Sequence, residues 1–311
     1  MNPLDLFDLH CDTASKLFEQ DQPLFSNRLH VALDKSTAFR RYVQTMAVWS
    51  NNAFSDEDCW KRFLKIQDNL KKELSKNGVI LAKDGKSLKR AAHSGKRTAI
   101  LAVEDARLLA GDLTRIAVLY RLGVRFLTLT WAGMSVIGGA HDTNESLTPF
   151  GRRVAERCFE IGIVPDISHA SRKVTAEILT MAKEYHRPVV ATHSNAYAVH
   201  PHTRNLTNVE FSAIAESGGL VGISLAPQHL TNGECDTNAV IAHIKHYLSL
   251  GGENTLCLGC DFDGIDKTPK EISALSSLPR LADALLDARI NEQTVHKIFF
   301  ENAYGFAVNN I

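Results

Sequence analysis

No charge of either sign is in excess in these 311 residues: 35 Lys and Arg face 35 Asp and Glu, so the formal net charge is zero. With no basic block either, neither a nucleic-acid track nor a polybasic membrane surface is expected. No apolar run approaches the roughly 20 residues of a membrane span, and no charged-then-apolar leader opens the chain. The final AVNNI is no hydrophobic tail for a lipid anchor. Of the cysteines (Cys11, Cys59, Cys158, Cys235, Cys257, Cys260) only the last two are closely spaced. The second pair that a structural zinc site needs is missing, so free thiols in a reducing, cytoplasmic setting are expected. A GxGxxG after an early strand is absent too, which weakens a doubly wound open sheet as the alternative fold.

What is present is ample apolar material, 44% of residues, arranged in short runs at wide intervals. Leu4–Leu9 is followed by YVQTMAVW, TAILAVED, VRFLTLTW, IVPDIS, PVVATHS, LVGISLA and TLCLGCDF. Continuous apolar runs of this length suit parallel strands covered on both faces. Helical patterns lie between them. Asp58–Leu74 is amphipathic, Thr148-Pro149 opens a helix reaching about Glu160, and Arg172–Tyr185 ends before Pro188. Thr207 with Glu210 forms a capping box ahead of Phe211–Glu216, and Asn238–Leu250 stops at Gly251-Gly252. Eight strands alternating with helices over residues 1–311 predict one α/β domain, a closed (β/α)8 TIM barrel. The Ala132–Thr148 loop is placed to cover the barrel mouth.

Ionisable residues sit where the apolar runs end. If Leu4–Leu9 is a strand, His10 and Asp12 share one side, with Cys11 opposite. Glu104, His169, His193, Asp261 and Asp263 close or follow later runs. In a barrel these positions meet at the C-terminal mouth. Singly, each could cap a helix or satisfy a carbonyl. Together they would be costly to bury uncompensated, and a metal is the simplest compensator. Three histidines and two carboxylates exceed one tetrahedral zinc with a water position. A shared Glu104 fits better, with His10 and Asp12 completing one ion and His169 and His193 the other. Two cations roughly 3.5–4 Å apart would hold a hydroxide for attack on a carbonyl. Imidazoles favour Zn2+, with Mn2+, Co2+ or Fe2+ as alternatives.

The chain resembles the renal (membrane) dipeptidase family of binuclear zinc peptidases. The resemblance is carried by DLHCDT, AVEDARLL, YRLGVRFLTLTW, LTPFGRRV, PDISHAS, THSNAY, TRN at Arg204 and GCDFDG, in family order. It implies the same division of metal ligands: His10 and Asp12 on one zinc, His169 and His193 on the other, Glu104 bridging. It further implies that Arg204 grips the free carboxylate of a dipeptide, as a planar guanidinium suits. Asp261 would handle the proton at the nucleophile and leaving amine, while Asp263 suits a supporting role. One departure stands out. The mammalian renal enzyme has a histidine at the position of Trp131, and an indole cannot act as an acid near neutral pH. His141 in the following loop could fold back to stand in for it.

These readings predict a zinc dipeptidase, with tolerance of a D-residue at the C-terminal position implied by the resemblance. A binuclear amidohydrolase acting on N-acyl amino acids or other small amides is the alternative, and a non-catalytic binding protein a further one. Its partner would be a small dipeptide, not nucleic acid or a membrane. A homodimer is compatible with the sequence, which does not fix oligomeric state.

Overall fold

The computed structural model describes residues 4–311. Its strands are β1 (Leu4–Cys11), β2 (Phe39–Val48), β3 (Ile80–Leu81), β4 (Thr98–Glu104), β5 (Val124–Thr128), β6 (Val164–Asp166), β7 (Val221–Ile223) and β8 (Leu256–Leu258). All pairings between them are parallel, in the order β6-β5-β4-β2-β1-β8-β7, with β3 attached outside β4. The gap between β6 and β7 is closed by PVVATHS. This run is not the full strand its sequence predicts. It is a stave held by single parallel bridges, Asp166 to Val190 and Ala191 to Val221. With it the sheet closes into an eight-stave barrel wrapped by helices, so the predicted (β/α)8 architecture is the one observed.

Two apolar layers hold the barrel. Outward-facing Leu6, Met46, Leu101, Val103 and Leu127 pack with helix residues such as Phe63, Ile66, Leu119, Val154 and Ile178. Inward-facing Phe7, Leu9, Val43, Ile100, Phe126, Val164, Val190 and Cys257 form the second cluster. Phe300, Ala303 and Phe306, from the C-terminal segment, join that inner cluster. The chain's last helix, Asn302–Asn310, therefore plugs the barrel's N-terminal end, and Phe306 stacks on Phe126 at 6.4 Å. Each such phenylalanine contributes about 1.5–3 kcal/mol by burial. The opposite, C-terminal end stays open.

Helix ends follow the capping chemistry. Thr148 accepts a hydrogen bond from Gly151 N ahead of Pro149–Ile161, and the Thr207–Glu210 capping box is formed at Asn208–Glu216. The long helix covers Asp56–Lys76, two residues beyond the expected span at each end, with Ser55 as its cap.

Candidate metal centre and substrate pocket

β1 runs two residues further than its apolar stretch suggests, and a bulge near its end aims its last side chains. Asp8 pairs with Gln44 but Cys11 with Met46, so β1 uses three steps where β2 uses two. Leu9 consequently faces the inner cluster, while Cys11 returns to the outer one beside Met46. His10 and Asp12 are left at the mouth. Four non-glycine residues at strand ends adopt left-handed backbone conformations: Asp105 (φ 80°), His169 (φ 69°), Asp261 (φ 61°) and Asp263 (φ 67°). Each costs of order 1–3 kcal/mol, and such strain gathers at functional sites.

The predicted ligands meet there. Glu104 Oε1 lies 2.9 Å from His169 Nε2 and 3.5 Å from His193 Nε2. Its other oxygen lies 3.6 Å from His10 Nε2, which is 3.5 Å from Asp12 Oδ2. Donor atoms of Glu104, His169 and His193 lie within 4.8 Å of one another, as do those of His10, Asp12 and Glu104. A third such group joins His10 and His193 to Asp261. Sequence reasoning had divided the ligands in the first two ways but had left Asp261 apart from them.

Two observations test whether these residues fit a cation. His10 Nε2 and Asp12 Oδ1 are buried without a hydrogen-bond partner, an expensive condition that a bound ion removes. A Cβ on Gly264 would overlap Asp12 Oδ2 and Asp261 Oδ1, so glycine is what keeps these oxygens clear. The donor set of imidazoles and carboxylates fits a borderline divalent ion such as Zn2+.

Burial and mutual charge shift the carboxyls and imidazoles of the cluster. Burial would raise the Glu104 carboxyl, but hydrogen bonds from His10, His169 and His193 hold it well below the usual range. Asp12 is pushed up to about 7 by burial and by Glu104. Asp261 is pushed up to about 8, mainly by burial, with Asp12 and Glu104 adding to it. His169 falls to about 3 through burial and the nearby Arg204. Pairs of carboxyls driven apart in this way are a mark of functional sites.

Beside the cluster is a cavity of about 230 Å³, lined by Asp12, Glu104, Asp261, Trp49, Trp131, His141, His169, Arg204, Gln228, His229, Gly264 and Ile265. Arg204 is buried there. Its Nη2 donates to the His193 carbonyl at 3.3 Å, and its Nε has no partner. Trp131 contributes its backbone, whose carbonyl accepts from His169 Nδ1 at 3.0 Å, and its indole leans on Trp49 at 5.1 Å. The Ala132–Thr148 loop does fold over the mouth. His141 N donates to the His169 carbonyl at 2.7 Å, and the His141 ring reaches the cavity with Nδ1 2.8 Å from Thr203 Oγ1. Asp263 stays out of the cavity, accepting from Thr13 Oγ1 at 2.5 Å and His30 N at 2.6 Å. Trp49 opens the Trp49–Glu57 loop, which the sequence suggests for a side-chain pocket, whereas Gln228, His229 and Gly264 were not singled out from sequence. GCDFDG contains Gly264, and His229 trails the LVGISLA run by three residues, but neither position marks itself as pocket-lining.

A closed parallel barrel with imidazoles and carboxylates converging at its C-terminal mouth defines the class of metal-dependent barrel proteins. The chain belongs to the membrane dipeptidase family (peptidase family M19), which it matches over residues 1–305. Among curated proteins it is similar to the dipeptidase tcpJ of Claviceps purpurea, 29% identical over 237 residues. That alignment takes in 74% of this chain and 55% of the relative, so the chain spans about half the length of that protein. Among solved structures it resembles the dipeptidase AC of family M19, with a TM-score of 0.91, 26% identity and 99% of each chain covered. It also resembles a metallopeptidase from Rhodobacter sphaeroides bound to a phosphinate mimic of the dipeptide L-Ala-D-Ala, with a TM-score of 0.89, 25% identity and all of both chains covered. Among the described residues, no helix is long and apolar enough to cross a membrane.

Proposed function

We propose that this chain is a one-domain cytoplasmic zinc dipeptidase that accepts dipeptides, including those with a C-terminal D-residue. The observation that carries the reading is the layout of the cavity: an incompletely partnered guanidinium, Arg204, faces the carboxylates Asp12, Glu104 and Asp261 across about 230 Å³. A dipeptide zwitterion presents the complementary charges, and its short length suits a space this small. The phosphinate mimic of L-Ala-D-Ala bound by the Rhodobacter sphaeroides relative supports the stereochemical part.

His10, Asp12, Glu104, His169 and His193 would hold two Zn2+ ions, with Mn2+, Co2+ or Fe2+ as substitutes. Bound there, the ions would supply Lewis acidity at the scissile carbonyl and lower the pKa of the attacking water. Arg204 binds the substrate carboxylate by charge-assisted hydrogen bonds and sets the reacting carbonyl beside the carboxylate cluster. Asp261, which lines the cavity beside the cluster, collects the proton of the attacking water and returns it to the departing amine. His141 is pushed down to about 4 by burial and by Arg204, so at neutral pH it is an uncharged ring. In the tautomer whose Nδ1 accepts from Thr203 Oγ1, Nε2–H is free to donate to the carbonyl oxygen as negative charge develops there. This would fill the role left open by Trp131.

The test is an assay of the purified zinc-loaded protein on L-L and L-D dipeptides, a tripeptide and an N-acyl amino acid, with Glu104→Ala as blank. Dipeptide turnover that vanishes in the blank is expected. Turnover confined to the N-acyl compound would replace the proposal by a general amidohydrolase. No turnover by a protein holding two ions would replace it by a non-catalytic binding protein.

A further inference from the structure

Three histidines point Nε2 into the centre, and each must therefore carry its proton on Nδ1 to leave that nitrogen free for a metal. For His169 the backbone settles this: Nδ1 lies 3.0 Å from the Trp131 carbonyl, which can only accept. The other two converge on one hydroxyl. Thr192 Oγ1 lies 2.9 Å from His193 Nδ1 and 3.3 Å from His10 Nδ1. The same oxygen is 2.6 Å from Asp166 Oδ2.

Counting donors and acceptors assigns a direction to the hydrogen bonds in this group. Asp166 is buried and accepts three further hydrogen bonds: from Thr128 Oγ1 at 2.6 Å on Oδ2, and from the backbone N–H groups of Ser168 (2.9 Å) and Thr192 (3.0 Å) on Oδ1. Surrounded by four hydrogen-bond donors, it serves as an acceptor. Thr192 must then spend its single hydroxyl proton on Asp166. Only lone pairs remain on Oγ1, and a hydroxyl oxygen has two. They accept Nδ1–H from His193 at 2.9 Å and Nδ1–H from His10 at 3.3 Å, the two nearest donors, with Ser168 Oγ farther off at 3.5 Å.

We propose that Thr192 is a positioning residue that sets the tautomer of one ligand in each of the two ion sites at once, with Asp166 fixing the direction of its hydrogen bond. This rests on the reading of His10 and His193 as metal ligands. Because His10 belongs with Asp12 and His193 with His169, this hydroxyl touches one ligand of each set, as Glu104 does from the metal side. Losing it therefore weakens both ions, not one. A residue acting on one ligand alone could not do this.

The test uses full-length protein, with Zn2+ affinity measured by chelator competition and imidazole protons observed by 15N-resolved NMR of the zinc-loaded state. Wild type is expected to bind two ions and to show His10 and His193 protonated on Nδ1. Thr192→Val, nearly isosteric, is expected to lose about 10- to 100-fold in affinity for each ion, while Thr192→Ser stays within a few-fold of wild type. A Thr192→Val protein that holds both ions as tightly as wild type overturns the proposal alone, as does a loss confined to one ion. A wild type that takes up no divalent ion overturns the metal-centre reading and the proposal with it. Should Thr192→Val not fold, the wild-type spectrum still decides: a proton on Nε2 of either histidine overturns the proposal.

Discussion

Nε2 of His169 and Nε2 of His193 lie 2.9 Å apart, and both face the same Glu104 oxygen. The Nδ1–H of His169 is committed to a carbonyl, so its Nε2 offers only a lone pair. Burial and neighbouring positive charge disfavour a proton on either ring. Two lone pairs at this distance repel unless something positive lies close to both, and the Glu104 carboxylate alone does not provide it. A divalent cation does.

Metal should therefore stabilise the folded chain, because the donor atoms come from staves that separate on unfolding. Protein stripped by chelator and returned to Zn2+ at about 100 times Kd is expected to gain about 2.7 kcal/mol per site in urea unfolding. Glu104→Gln, which contributes to both ligand groups, should lose most of that gain. An unchanged gain in the variant would show that Glu104 is not shared.

Arg204 is held in a buried position with its Nε unpartnered. Burial lowers its pKa only to about 10, so it stays charged at neutral pH. Arg204→Met should cost about 2–5 kcal/mol in kcat/KM for dipeptides, from roughly 30-fold to several thousandfold. The loss should fall mainly on KM and shrink for a dipeptide amide, which has no carboxylate to grip. Equal losses on acid and amide would rule out the assigned contact.

For His141 the expected signature is the reverse. If its neutral ring donates only to developing negative charge, His141→Ala should lower kcat by about 10²–10³ and leave KM within a few-fold. The kcat profile should show no titration of this residue above about pH 5, since burial keeps its pKa near 4. A variant with wild-type kcat would leave Trp131 and its surroundings as the place to look for oxyanion stabilisation.

Much of the barrel could be read directly because parallel strands buried on both faces leave unbroken apolar runs, and TAILAVE and VRFLT became β4 and β5. PVVATHS was harder, since its stave is held by two isolated bridges and lacks a regular ladder. The ligand residues were legible because an ionisable group at the end of an apolar run is conspicuous. The bulge in β1 was not, as it depends on how β2 pairs with it. Nor was the Thr192 hub: Asp166 and Thr192 lie 26 residues apart and meet only because neighbouring staves bring them together. The C-terminal plug was missed for a related reason. The segment with Phe300 and Phe306 follows the last apolar strand run and carries no ionisable strand-end signal, and only closure of the barrel shows that their partners are on the inside.

Away from the site, acid stability has a defined source at the start of β1. Asp5 is buried and accepts from Arg40 Nη2 and Arg41 Nη2, each at 2.6 Å, and from Arg41 N at 2.9 Å. Burial alone would raise its carboxyl, but these donors and the Arg41 charge bring it from 3.8 down to about 2. A carboxylate with a lowered folded-state pKa binds fewer protons folded than unfolded over this range. Its contribution is therefore complete above the unfolded value and fades as pH falls from about 4 to about 2. With Arg40 well exposed and screened, the contribution is about 1–2 kcal/mol. Asp5→Asn should lower urea stability by that amount at pH 7 and flatten the pH dependence between 4 and 2. A variant whose stability still falls as steeply as wild type across that window would place the acid sensitivity elsewhere.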